Sequence, residues 1–332
     1  MKKYNVYGIG NALVDIEFEV EDHFFKTHGV EKGVMTLVDE TRQTNLVKAM
    51  NGERIKKQGG GSAANTLIAL SQFGGKGYYA CKVANDDYGH FYMKDLHEVG
   101  LDSNLHPGIL EDGITGKCLV MVTPDADRTM NTFLGITSSI DVSAIDEEAI
   151  KASEYVYIEG YLVTSENGKE AMKHAKNLAE KHGVKTSLTL SDPAIVGAFR
   201  DGFNEVIGNG VDLLFCNEEE AMRFTETDNL LEAREKLKYV AKRFAITLGK
   251  NGAMIYDGDT FIDIESYTVQ AIDSNGAGDM FAGAYLYGIT NGHSYVDAAK
   301  IASLASSKVV SKFGPRLENG QTNEILKHML GK

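Results

Sequence analysis

Short runs rich in β-branched and aromatic residues alternate along this chain with longer amphipathic stretches. This alternation constrains the fold more than any other feature. The β-rich runs are residues 4–8, 77–83, 155–159, 186–190, 213–216 and 244–248. The amphipathic stretches are residues 62–73, 89–99, 168–182, 230–242, 277–289 and 295–311. Strands that are connected by helices pair in parallel, so the pattern predicts a three-layer α/β protein with a central, mostly parallel sheet.

Two segments, near residues 16–39 and 109–132, interrupt this rhythm. Both alternate polar and apolar residues without a long helix, which is typical of half-buried strands. We expect them to form a small β-sheet lid on a single domain that spans residues 1–332. Apolar residues of the lid could form one wall of a ligand pocket, or equally a buried lid core or a dimer seam. These residues are Val34, Met35, Leu37, Leu119, Met121 and Phe133.

The charge balance limits the partners of the chain. The 332 residues include 34 basic and 47 acidic side chains, a formal net charge of -13. Such a surface repels nucleic acid backbones and anionic membranes, so we expect neither as a partner. A phosphate compound would need a local pocket of backbone N–H groups, cations or a metal ion.

Cysteine usage and the N-terminal segment predict a cytoplasmic protein. Cys81, Cys118 and Cys216 show no CxxC spacing, so neither a zinc site nor a dithiol motif is expected. Residues 1–10 lack the apolar stretch of a signal peptide. No segment approaches the ~20 consecutive apolar residues of a membrane helix.

The strongest chemical signal is the sequence AIDSNGAGDMF at residues 271–281, where a strand end meets a glycine turn and a long helix. Gly276 and Gly278 allow a ligand to approach the backbone closely, and the first N–H groups of the helix favour an anion. Asp279 in the first helical turn could simply complement the helix dipole. Alternatively, it could act as a general base that takes a proton from an attacking hydroxyl.

A second signal combines residues 8–15, after the first strand, with residues 59–65, which open a helix. Asn11, Asp15 and Asn65 offer the donors and acceptors that a polyhydroxy compound requires. The glycines at 59–61 could also be only a loop before a helix that Ser62 caps.

These motifs together resemble the ribokinase family of carbohydrate and nucleoside kinases, also called PfkB kinases, over almost the whole chain. Residues 273–279 resemble the C-terminal signature of the family, and residues 59–65 resemble its N-terminal one. Residues 217–220 match its Asn-x-x-Glu element, and residues 247–252 resemble its nucleotide-side strand and turn. Residues 217–220 could otherwise be a helix cap with an exposed acidic turn.

The resemblance implies a ribokinase-like fold with a lid, and it implies ATP and Mg²⁺ as cofactors. Asp279 would be the catalytic base, and the anion hole would comprise Gly276, Ala277 and Gly278. The acceptor hydroxyls would be bound by Asn11, Asp15, Gly60, Gly61 and Asn65. The nucleotide would contact Asn217, Thr247, Gly249, Gly252 and Asn275, while Glu220 would organise Mg²⁺ through water.

Two further assignments follow from the resemblance. Arg128 would reach toward the transferred phosphate, although it could also be an exposed loop arginine. A monovalent cation such as K⁺ would lie near Asp273, Asn275 and Gly314. The sequence itself establishes no ion there.

Local features favour a nucleoside as the acceptor. Residues 10–16 and Asn275 resemble adenosine kinases and inosine-guanosine kinases, and residues 125–135 resemble bacterial adenosine-kinase-like members. We therefore expect transfer of the ATP γ-phosphate to the hydroxymethyl group of a ribonucleoside, by a monomer or homodimer. The alternative is a sugar kinase of the fructokinase or ribokinase type. A catalytically inactive nucleoside sensor is less favoured, because it would not need Asp279.

Overall fold

The computed structural model describes residues 2–50, 56–124 and 128–331. In chain order its strands are β1 (Tyr4–Ile9), β2 (Leu13–Glu19), β3 (Met35–Leu37), β4 (Lys56–Gly60), β5 (Gly77–Ala80), β6 (Asp102–Ser103), β7 (Gly116–Val122), β8 (Arg128–Phe133), β9 (Ser153–Ile158), β10 (Lys185–Thr189), β11 (Leu213–Asn217), β12 (Phe244–Thr247), β13 (Ala253–Tyr256) and β14 (Phe261–Ile264).

The α-helices in the same described ranges are α1 (Asp22–His28), α2 (Glu40–Ala49), α3 (Ser62–Gln72), α4 (Asp87–Glu98), α5 (Glu147–Lys151), α6 (Glu166–Lys181), α7 (Pro193–Ile207), α8 (Glu218–Thr225), α9 (Leu230–Leu237), α10 (Ala277–Thr290), α11 (Tyr295–Val310) and α12 (Gln321–Leu330). Short 3₁₀ segments lie at Gly135–Ser139, Val142–Ala144, Gly160–Thr164 and Gly249–Asn251. Within these ranges, no helix is both long and apolar enough to span a membrane.

The larger sheet has the strand order β14-β13-β12-β11-β10-β9-β1-β5-β6 and is parallel from β12 to β6. Successive residues of its strands face opposite helix layers, as the two-residue period of a strand requires. Val6 and Leu213 pack in the core with α3, α10 and α11, whereas Tyr7 and Leu214 pack in the core with α5 to α9. The three-layer α/β prediction is therefore confirmed.

The smaller sheet has the order β3-β8-β7-β2-β4. One face is covered by α1 and α2, because Leu119 belongs to the same core cluster as Phe25 and Leu46. Cys118 and Val120, the alternate residues of β7, face the opposite side. Helices α1 and α2 therefore cover one face of this sheet, and the other face borders a cavity above the larger sheet.

Several elements differ from the sequence patterns. The helix predicted at 230–242 ends at Leu237, and the strand predicted at 77–83 ends at Ala80. The β13–β14 hairpin and the short helices α1 and α2 were not predicted. Residues 56–60, which include two of the three glycines that could have formed only a loop, form β4 because they pair antiparallel with β2. Lysines, glutamine and glycines favour a strand weakly, so here the neighbouring strand decides the conformation.

Candidate active site

A cavity of about 350 Å³ lies between the carboxyl ends of the larger sheet and the inner face of the smaller sheet. Ligands collect at this edge of open α/β sheets. The predicted residues that line the cavity are Asn11, Asp15, Gly61, Asn65, Asn217, Glu220, Thr247, Asn275, Gly276, Gly278 and Asp279. The predicted residues absent from the lining are Gly60, Ala277, Gly249, Gly252, Asp273 and Arg128.

Asp279 is held at the bottom of the cavity by helix α3. Its carboxylate accepts a hydrogen bond from Ser62 Oγ at 2.6 Å and another from Asn65 Nδ2 at 3.3 Å. Burial raises the pKa of Asp279 to about 6, although both hydrogen bonds oppose the shift. Ser62 is not the cap of α3, because Gly61 occupies the N-cap position. The serine hydroxyl orients the candidate base instead.

The N-terminus of α10 faces the same cavity. Its N-cap is Gly276, which has a φ of +75° and provides no side-chain cap. A methyl group at this position would collide with Pro315, so both the backbone conformation and the packing require glycine. The Ala277 N–H donates to the Ser274 carbonyl at 3.3 Å. Helix starts leave their first N–H groups without helical partners, and Gly278 places this end of α10 at the cavity.

Asp15 lies on β2 and points into the cavity from the smaller sheet. Burial raises its pKa to about 7, against the opposing charges of Arg316 and Arg128. Gly60 packs directly against this carboxylate, and the Gly60 carbonyl accepts a hydrogen bond from Tyr92 Oη at 2.8 Å. Gly60 thus supports Asp15 from behind without lining the cavity.

Asn217 and Glu220 form a capping box at the start of α8. The Glu220 carboxylate accepts hydrogen bonds from the backbone N–H and the side-chain amide of Asn217, at 2.9 and 2.8 Å. Residues 217–220 therefore do form a helix cap, which was the alternative interpretation of this motif. The exposed acidic turn expected with that cap is wrong for Glu220, because its side chain is buried. Burial raises the pKa of Glu220 to about 7.

The surroundings of Glu220 fit an indirect role toward Mg²⁺. Among the described residues, no three histidine, cysteine, aspartate or glutamate side chains are grouped to hold a metal ion directly. Mg²⁺ commonly retains several waters and is bound through one or two carboxylates plus substrate phosphates. Glu220 fits such a water-mediated contact.

Arg128 lies at the start of β8 with 8% of its side chain exposed, so it is not an exposed loop arginine. Its Nε is 2.9 Å from Asp273 Oδ1, and its Nη2 is 3.4 Å from Glu17 Oε1. The Asp273 carboxylate also accepts the N–H groups of Asn275 and Gly314. A monovalent cation at Asp273 would therefore compete with the guanidinium. Residues 125–127, which open the stretch similar to adenosine-kinase-like proteins, lie outside the described residues.

Glu159 is the main site residue that sequence reasoning missed. It follows β9, lines the cavity and is 1% exposed. Its carboxylate accepts the backbone N–H of Asn11 at 3.1 Å, the Asn11 amide at 2.8 Å and the Ala63 N–H at 2.8 Å. Burial raises its pKa to about 7. Glu159 thus connects Asn11, a predicted acceptor residue, to the helix that orients Asp279. A charged residue at the end of an apolar strand was the available signal.

The substitution Glu159→Gln should change how stability depends on pH. The pKa of Glu159 rises from 4.5 to about 7 on folding, so the wild type takes up a proton as it folds between these values. Its contribution to stability is therefore lost as the pH rises through this range. We expect the unfolding free energy of wild type to fall more between pH 5 and pH 8 than that of the variant, by on the order of 3 kcal/mol. Denaturant unfolding at both pH values measures this difference. Parallel changes in the two proteins would contradict it.

The apolar wall of the cavity comes from the smaller sheet. Met35 and Leu37 line it as predicted, but Val34, Leu119, Met121 and Phe133 do not. Leu119 and Met121 are instead buried in the core, as the alternative of a buried lid core predicted, and their neighbour Val120 lines the cavity. The apolar lining from this side of the cavity comprises Leu13, Met35, Leu37, Cys118, Val120, Met130 and Leu134.

A partly buried carboxylate beside a glycine-rich helix N-terminus is the arrangement that a phosphotransferase acting on an alcohol group requires. The model of the pfkB family carbohydrate kinases matches residues 34–321, and the protein belongs to this family.

The relatives include both nucleoside and sugar kinases. The structure of adenosine kinase from Sinorhizobium meliloti is 32% identical, with a TM-score of 0.91 and coverage of 98% of this chain and 99% of that chain. A probable sugar kinase from Rhizobium etli CFN 42 is also 32% identical, with a TM-score of 0.91 and 99% coverage of both chains. The 5-dehydro-2-deoxygluconokinase from Clostridium perfringens is 25% identical over 302 residues, which cover 87% of this chain and 89% of that protein. Family membership therefore leaves the acceptor open.

Proposed function

We propose that this protein transfers the γ-phosphate of ATP, bound with Mg²⁺, to the 5′-hydroxymethyl group of a ribonucleoside. The observation that carries the proposal is the two-sided character of the cavity. Asn11 and Asp15 offer polar groups for ribose hydroxyls, while the inner face of the smaller sheet offers a mostly apolar wall beside Asp15. A nucleobase has a large flat face that such a wall can cover, whereas a free sugar has no comparable surface.

In this proposal each site residue has a specific role in phosphoryl transfer. Asp15 accepts hydrogen bonds from ribose hydroxyls, and Asp279 accepts the proton of the attacking 5′-hydroxyl. The N-terminus of α10, at Gly278, stabilises the negative charge of the transferred phosphoryl group. Mg²⁺ would neutralise charge on the ATP phosphates, with Glu220 holding its water shell. The apolar wall excludes water from the reacting groups.

The proposal is tested by ADP release in a coupled assay. Adenosine, inosine, guanosine, ribose and fructose are compared as acceptors at equal concentrations with Mg²⁺ and ATP. Release that depends on one of the nucleosides supports the proposal. A preference for a free sugar would reject the nucleoside acceptor while leaving phosphotransfer intact.

A sugar acceptor is the second candidate. It is favoured by the 25% identity to 5-dehydro-2-deoxygluconokinase over most of the chain. The groups around Asn11 and Asp15 suit any polyhydroxy compound. The same panel of acceptors distinguishes the two candidates.

Replacement of Asp15 by alanine should weaken acceptor binding at least tenfold. A hydrogen bond to a charged group contributes about 1.5–3 kcal/mol, and Asp15 can accept two from neighbouring hydroxyls. Calorimetry with the preferred acceptor measures the effect, and ATP affinity should be unchanged. Glu19→Ala on the same strand is the control, because Glu19 is exposed and does not line the cavity. Unchanged acceptor affinity in Asp15→Ala would move the acceptor site elsewhere.

A further inference from the structure

Ser191 has a backbone conformation that serine rarely adopts. Its φ is +69°, and among the described residues only Glu226 shares a positive φ without being glycine. At Glu226 the conformation has an ordinary cause, since this residue is the left-handed C-cap of α8. Ser191 ends no helix. It lies between β10 and Asp192, the N-cap of α7, so its strain needs a different explanation.

The Ser191 hydroxyl is buried, lines the cavity and has no hydrogen-bond partner among the described residues. A buried hydroxyl without a partner is itself destabilising. Gly160 leaves space for it, since a methyl group on Gly160 would lie 2.9 Å from Ser191 Oγ. Strained backbone and an unsatisfied polar group thus coincide at one cavity residue. Such combinations persist where function requires them.

The position of Ser191 in the sheet indicates which ligand it meets. Strand β10 lies between β9 and β11, and Asn217 and Glu220 follow on the β11 side. The acceptor residue Asn11 follows β1, which is separated from β10 by β9. Ser191 is therefore closer in strand order to the predicted nucleotide residues than to the acceptor residues.

Ser191 offers a hydrogen-bond donor that ionised carboxylates cannot provide. The carboxylate of Glu220 also lines the cavity, and that of neighbouring Asp192 is turned toward its own helix, where it accepts the N–H groups of Ala194 and Ile195. Phosphate oxygens only accept hydrogen bonds, so the Ser191 O–H can donate to them without adding charge.

We propose that the Ser191 hydroxyl donates a hydrogen bond to the phosphate chain of the bound nucleotide, and that the positive φ aims it there. This inference rests on the proposed function only in taking ATP as the donor. It does not depend on whether the acceptor is a nucleoside or a sugar.

The test compares Ser191→Ala, which keeps the strain and removes the hydroxyl, with Ser191→Gly, which removes both. Dissociation constants of Mg²⁺-ATP and Mg²⁺-ADP are measured by calorimetry without acceptor, together with the melting temperature. Both variants should bind ATP about tenfold or more weakly, as loss of a charge-assisted hydrogen bond implies. Ser191→Gly should melt at a higher temperature than Ser191→Ala, because glycine adopts this φ freely.

Glu226→Gly is the matched control, since it relieves a positive φ outside the cavity and should leave ATP affinity unchanged. If wild type binds ATP and both Ser191 variants bind ATP and ADP equally well, the inference is wrong and the proposed function stands. A raised KM for the acceptor with intact ATP affinity also overturns it, because the hydroxyl would then serve the acceptor. Failure of wild type to bind ATP would overturn the proposed function as well.

Discussion

Replacement of Asp279 by asparagine is expected to lower turnover by about 10²- to 10⁴-fold, the usual effect of removing a general base. The Asp279 carboxylate is the acidic group held in the first turn of α10, beside the helix end that we propose stabilises the phosphoryl group. Ser62 and Asn65 fix its orientation. With a pKa raised to about 6 by burial, it is mostly ionised at neutral pH. Wild-type kcat/KM should therefore fall more steeply below about pH 6 than the residual activity of the variant, in which Asp15 still gains a proton but residue 279 does not.

The control for Asp279 addresses the alternative that it only complements the helix dipole. Asp297 occupies the first turn of α11 but is exposed and lies outside the cavity. Asp297→Asn should change stability by less than about 1 kcal/mol and leave turnover unaltered. If Asp279→Asn behaved in the same way, with near-normal turnover, the carboxylate would be a dipole partner and not a base. ATP affinity and melting temperature confirm that the variant is folded.

The local motifs could be predicted from sequence because each carries its chemistry in consecutive residues. The glycine turn, Asp279 and the capping pair Asn217 and Glu220 are examples. Glu159 could not be predicted in the same way. Its partner Asn11 is 148 residues distant along the chain, and the contact exists only because β9 pairs with β1. The same is true of the contact between Arg128, which opens β8 of the smaller sheet, and Asp273, which lies in the loop before α10.

The wall residues show a different limit of sequence patterns. The alternation along β7 distinguishes the two faces of the strand. It does not predict which face lines the cavity, because the residues on both faces are apolar and buried. Leu119 and Val120 are equally hydrophobic neighbours, yet the first packs with the core under α1 and α2 and the second faces the cavity. Helices α1 and α2 cover one face of the smaller sheet, so only the other face can line the cavity. Neither helix is evident from the sequence pattern.

The preferred nucleoside should be phosphorylated with a kcat/KM at least about 10²-fold above that of ribose or fructose, or about 2.7 kcal/mol of additional transition-state stabilisation. The source of this energy is the apolar wall, because burying apolar surface contributes roughly 25 cal/mol per Å². Steady-state kinetics over the panel of five acceptors measure the ratio. A ratio near one, or one that favours a sugar, would contradict the nucleoside assignment.

Two substitutions on β7 locate the source of this preference in the wall. Val120 and Val122 are both buried on the same face of the strand and belong to one cluster, but only Val120 lines the cavity. Val120→Thr nearly keeps the shape but replaces a methyl group with a hydroxyl, so it should lower kcat/KM for the nucleoside several-fold while changing the sugar value little. Val122→Thr makes the same chemical change outside the cavity and should leave the ratio intact. Equal effects of the two variants would mean that the preference for the nucleoside depends on the stability of the smaller sheet. An effect confined to Val120→Thr would assign the preference to contact with the base.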